Sequence, residues 1–151
     1  MIAHPTLFAG LAFAALLTGS AASAEAPGQL RCVVDWGDTG PREQVYRLER
    51  AAGRVTLEPA TVYTAAGQTQ ADDRMISTFV IESWTDDQLV LRADHRVADG
   101  QRTATIRAIL DLKALSLRIT SSQTSPTLSL GASQYEGRCR RAQGALPPTG
   151  G

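Results

Sequence analysis

The chain contains no asparagine, one lysine and two cysteines. Each scarcity excludes something. Without asparagine there is no N-glycosylation acceptor. From residue 25 onward there are two cysteines and one histidine, so a structural zinc site there cannot draw its usual four ligands from those types. The 15 basic and 15 acidic residues cancel, so the chain lacks the basic excess that marks partners of nucleic acid or anionic membrane. Nucleic acid is therefore not an expected partner. No apolar run approaches the roughly 20 residues that span a bilayer.

What is present divides the chain in three. Leu7 to Leu17 is an uninterrupted apolar run, and small residues follow it, ending in Ala22-Ser23-Ala24. That order marks a cleaved secretory signal. It predicts a signal peptide over 1–24 and a mature chain from Glu25, periplasmic or secreted. No Lys or Arg precedes the run, so retention as an anchor is the competing reading. After cleavage no stable membrane insertion is expected. Residues 25–141 form one domain of ordinary size. Residues 142–151 are disordered in composition. They include Leu146-Pro147-Pro148-Thr149-Gly150, a sortase-like pattern lacking the apolar and basic segment that should follow, so the match is taken as coincidence.

Cys32 and Cys139 sit near the two ends of the mature chain. In an exported protein such a pair reads as a disulfide. The bond would make the first and last strands neighbours.

Alternation with period two runs through the domain and predicts strands. Leu30, Cys32, Val34 and Trp36 share one face. Tyr46 and Leu48 alternate with charged and polar residues, as do Val55 and Leu57, and Pro59 ends that strand. Thr64 to Arg74 is polar and reads as the longest loop. Met75 to Trp84 is apolar on both faces, which suggests a central strand. Leu89, Leu91, Ala93, His95 and Val97 share a face, opposed by Arg92, Asp94 and Arg96. Asp99-Gly100 is a hairpin signal.

Ala104, Ile106, Ala108, Leu110 and Leu112 form the next face, followed by Leu115, Leu117 and Ile119. Arg107 to Leu115 is also rich in helix formers. Strand–turn–strand is favoured there because alternation continues on both sides. Leu128 and Leu130 follow a Ser/Thr/Pro loop, and Tyr135, Gly137 and Cys139 close the pattern. The expected fold is all-β: an antiparallel meander of eight or nine strands, a closed barrel rather than a two-sheet sandwich.

Few residues suggest chemistry. His95 is the one histidine after cleavage, and its place among inward positions reads first as a hydrogen-bonded core residue. Asp94 points to the other face. A small hydrolase centred on His95 and a carboxylate is the weakest of three functional readings. Asp72-Asp73, Asp86-Asp87, Asp35 and Asp38 read as turn residues. Arg92, Arg96, Arg107 and Arg118 should face outward and pair across strands. Trp36 and Trp84 are core or rim residues by default. Together with His95 they are the candidate ligand contacts, at a barrel mouth gripping an apolar or sugar ligand. No catalytic residue, metal or cofactor is assigned.

The signal, Leu30-Arg31-Cys32 in the first strand and the closing Tyr135-Glu136-Gly137-Arg138-Cys139 resemble small exported proteobacterial proteins of unknown function. The chain is also similar to membrane-bound inhibitors of C-type lysozyme in being a small exported β-domain with a cysteine near each end. Their serine-glycine stretch before a tyrosine has no counterpart, Ala60-Thr61-Val62-Tyr63 being the nearest wording. The leading expectation is a non-enzymatic binding or structural module of the cell envelope, partnered by an envelope protein or a small apolar ligand. The alternative is an inhibitor of lysozyme or another envelope-attacking hydrolase.

Overall fold

The computed structural model describes residues 28–97, 102–125 and 128–142. The expected signal peptide, the Asp99-Gly100 turn and the Leu146–Gly150 stretch lie outside them. Ten strands follow in order: β1 (Gly28–Asp35), β2 (Pro41–Glu49), β3 (Arg54–Leu57), β4 (Thr61–Thr64), β5 (Gln68–Ala71), β6 (Met75–Trp84), β7 (Gln88–Val97), β8 (Thr103–Asp111), β9 (Ser116–Ser125) and β10 (Leu128–Arg141). Strands adjacent in sequence pair antiparallel except β4 and β5, β10 returns to pair with β1, and β4 meets β6 in parallel through Thr64 and Val80. The result is a closed mixed barrel of nine strands, with β5 added along the edge of β6. Among the described residues no helix is long and apolar enough to cross a membrane.

The alternation in sequence decides the inside. Leu30, Cys32, Val34, Tyr46, Val55, Leu89, Leu91, Leu110 and Leu117 are each less than 2 % exposed or at 2 %. Full burial of each large aliphatic side chain stabilises by about 1.5–3 kcal/mol. Tyr63 meets Phe79 edge-on at 5.4 Å, and Phe79 meets His95 at 5.9 Å. The outer face carries charges paired across strands. Arg92 and Arg107 both reach Glu82, Arg92 also reaches Asp94, and Arg118 lies near Glu136. A register shift between Ile81 and Ser83 puts Glu82 at the irregularity, within reach of both arginines.

Cys32 and Cys139 are bonded, with Cα atoms 3.9 Å apart. They stand opposite each other in the β1–β10 pair. Gly137 permits that close approach: a Cβ there would lie 2.8 Å from the Val33 carbonyl oxygen and 2.9 Å from Val34 Cγ2. Arg107 to Leu115 is strand to Asp111 and then turn, leading into β9 at Ser116, and is not helix.

Three local expectations need correction. The polar stretch from Thr64 to Arg74 is not one long loop, because Gln68–Ala71 pairs with Ile76 to Phe79. Leu128 and Leu130 belong to the same strand as Tyr135 and Cys139; a register shift at Gly131, φ 54°, bends it without ending it. β6 is paired along both edges, but only its Ser77–Phe79–Ile81 face is buried, while Met75 and Ile76 are 38 % and 44 % exposed.

Candidate functional site

The three candidate ligand contacts do not converge. β1 and β6 run in opposite directions round the barrel, so Trp36 and Trp84, at their C-terminal ends, mark opposite mouths. The packed core lies between them. Trp36 leans on Tyr135 with ring centroids 4.6 Å apart. Its amide donates to the Gly40 carbonyl, and its Nε1 is buried without a partner among the described residues. The turn after it is built by Asp35, whose Oδ1 accepts the Gly37 amide at 2.9 Å.

His95 faces inward on β7, opposite Ser77 on β6. Ser77 Oγ lies 2.8 Å from His95 Nδ1, and Ser77 is buried, 8 % exposed. The serine that a serine–histidine pair would need is thus supplied, but among the described residues no carboxylate bonds the ring. Asp94 points outward, held by Arg92 Nε at 2.9 Å and by the Thr105 hydroxyl at 2.9 Å. The pair is a satisfied cross-strand hydrogen bond with Phe79 beside it. Among the described residues no three His, Cys, Asp or Glu side chains gather as a metal site would require.

Two of the candidates line a depression: His95 one of about 310 Å³ with Thr78, Asp94, Arg96 and Thr103 on the barrel wall, and Trp84 a cleft at one mouth, where several turns converge. In an up-and-down meander alternate connections share an end. The β2–β3 turn brings Arg50, the β6–β7 turn brings Trp84 and Asp86, the β8–β9 turn brings Leu112, and the start of β1 and the end of β10 bring Gly28 and Arg141. With Leu48 these line a cleft of about 250 Å³. A second depression of about 400 Å³ lies beyond Arg50 and Trp84, towards Gly53, Ile81 and Glu82.

Two guanidiniums and one carboxylate rim the cleft. Arg50 bonds Asp86 at 2.6 Å. Arg141 donates to the Leu112 carbonyl at 3.0 Å, capping a backbone acceptor where the chain leaves β8. Thr85 closes the turn beneath, its Oγ1 accepting the Gln88 amide at 3.0 Å while its own amide donates to the Gln88 carbonyl at 2.8 Å. Asp87 is drawn aside by Lys113. Leu48, Trp84 and Leu112 all pack against the core, so the floor is apolar and rigid. Nothing in the lining is a nucleophile beside a base.

Sequence reading named Trp84 and missed Arg50, Leu48, Leu112 and Arg141. The available signal was the meander itself, since residues flanking every other turn must meet at one mouth. Comparison of the chain with family models, curated proteins and solved structures finds no match to any of them.

Proposed function

We propose that this chain is a non-enzymatic binding domain of the cell envelope, exported to an oxidising compartment, whose ligand seats at the Trp84 mouth. The cleft over a packed barrel end carries this reading: indole, two leucines and two arginines converge there without catalytic partners. The Cys32–Cys139 bond supports an oxidising destination, and the apolar run with its Ala22-Ser23-Ala24 end supports export. The packed interior argues against a carrier that swallows its ligand, so binding is at the rim.

The test is nuclear magnetic resonance of the isotope-labelled mature domain, titrated with a low-molecular-weight envelope extract. Shifts should gather at the Trp84 indole, Leu48 and Leu112. Shifts confined to other faces would overturn the proposed site. Turnover of ester or peptide substrates by the pure domain, abolished in His95→Ala, would overturn the non-enzymatic reading.

A further inference from the structure

We infer that the Trp84 cleft selects a small organic anion with an apolar body, its carboxylate held between Arg50 and Arg141 and its carbon chain laid on Trp84, Leu48 and Leu112. This rests on the reading of the cleft as the binding site and adds the chemistry of what it binds.

Charge is the first argument. The rim holds two guanidiniums against one carboxylate, inside a chain whose net charge is zero. A cation would face both arginines, whereas an anion meets a local excess of positive charge. Availability is the second. Asp86 holds Arg50 with a side chain that is 88 % exposed. Such exposed surface pairs contribute little, so Asp86 is a weak competitor. A ligand carboxylate can replace it on Arg50 without exposing a charge that was buried. Arg141 spends one nitrogen on the Leu112 carbonyl, and a guanidinium has five N–H donors in a fixed fork. It can therefore keep its capping bond and still reach a carboxylate.

Shape is the third argument. The floor is indole and leucine, which favours an aliphatic or aromatic body over a sugar rich in hydroxyls. At about 250 Å³ the cleft falls below the roughly 300–1,000 Å³ typical of drug-sized ligands. The body is accordingly short.

The probes are sodium octanoate, 1-octanol and sodium acetate, titrated separately into the labelled mature domain. The two tryptophan indole N–H signals are followed, assigned with Trp36→Phe. Octanoate should shift the Trp84 signal saturably and leave that of Trp36 in place. Octanol, with the same chain and no charge, should bind at least tenfold more weakly, and acetate should have no effect. Arg50→Gln should weaken octanoate at least fivefold and leave octanol unchanged. Arg141→Gln should also weaken octanoate, and it serves if Arg50→Gln misfolds. Octanol binding as tightly as octanoate, or octanoate indifferent to both arginine variants, would overturn the anion preference while the cleft remains a binding site. Silence of the Trp84 signal towards every probe would overturn both.

Discussion

At the β8–β9 turn Asp111 does what glycine or asparagine does elsewhere. Its Oδ1 accepts the amides of Lys113 at 2.9 Å and Ala114 at 2.6 Å, which reverses the chain within a few residues. Leu115 then takes φ 53°, a left-handed conformation that costs an L-residue about 1–2 kcal/mol. The offset is visible: its side chain packs on the core and its carbonyl accepts the Cys139 amide at 2.7 Å. Asp111→Ala leaves two amides without their acceptor. It should cost about 1 kcal/mol, read as a lower urea midpoint at unchanged slope. An unmoved midpoint would mean that the backbone alone makes the turn. The buried tyrosines make a second prediction. Burial pushes the Tyr63 phenol up to about 12 from 10.0. Tyr46 is pushed up too, by burial and then by neighbouring Tyr63. Folded tyrosines therefore keep protons that the unfolded chain releases above pH 10. Their contribution is intact below that pH and is lost as pH climbs from 10 towards 12, at about 1.4 kcal/mol per pH unit per tyrosine. Urea midpoints at pH 8 and pH 11 should differ accordingly, and Tyr63→Phe should shrink the difference. A midpoint that holds to pH 11 contradicts this. At this scale the sequence showed which side chains are large or chargeable and which face inward. It did not show that Ser77 would meet His95, or Arg50 meet Asp86, because both contacts depend on register.

Among elements, β5 shows where pattern reading stops. Gln68-Thr69-Gln70-Ala71 has no apolar face, and all four residues are exposed. Its extended state is imposed from outside. Asp72 turns the chain, its Oδ1 accepting the Arg74 and Met75 amides at 2.8 Å each, and β6 supplies the partner edge. A strand made by its neighbour leaves no period-two signal. The same holds for β4, four residues whose single parallel contact with β6 closes the barrel. Strands flanked on both sides and buried on one face were legible, since burial forces alternation. β7 follows this along most of its length, with Leu89, Leu91 and Ala93 at 0–3 % exposure, and only Val90 is buried on its other face. Hydrogen exchange should separate the two kinds. Protected amides of β5 should exchange near the fast end and those of β7 near the global unfolding limit. Equal protection in β5 and β7 would show that the added strand is part of the cooperative core.

The whole molecule depends on how its ends meet. A meander becomes a barrel only if first and last strands pair, and here residues Leu30 to Val34 pair with Gly137 to Arg141. That pairing joins segments 107 residues apart in sequence, so without a crosslink its loop-closure entropy is lost anew at every folding event. A disulfide across so long a loop restricts the unfolded chain by about 4–5 kcal/mol in the chain-entropy model, an upper figure. The native β1–β10 ladder, by contrast, keeps its hydrogen bonds when the sulfurs part. Reduction should therefore weaken the barrel without opening it. Far-UV circular dichroism of the reduced protein should match that of the oxidised protein in buffer, while its urea midpoint falls by the equivalent of several kcal/mol. The Cys32→Ala/Cys139→Ala double variant should fall slightly further, because Cys32 is fully buried and its loss leaves a small void. If reduction moves the midpoint by less than about 1 kcal/mol, well under the chain-entropy figure, the ladder alone holds the ends together. If it abolishes the β signal, the crosslink is a condition of the fold and not a reinforcement of it.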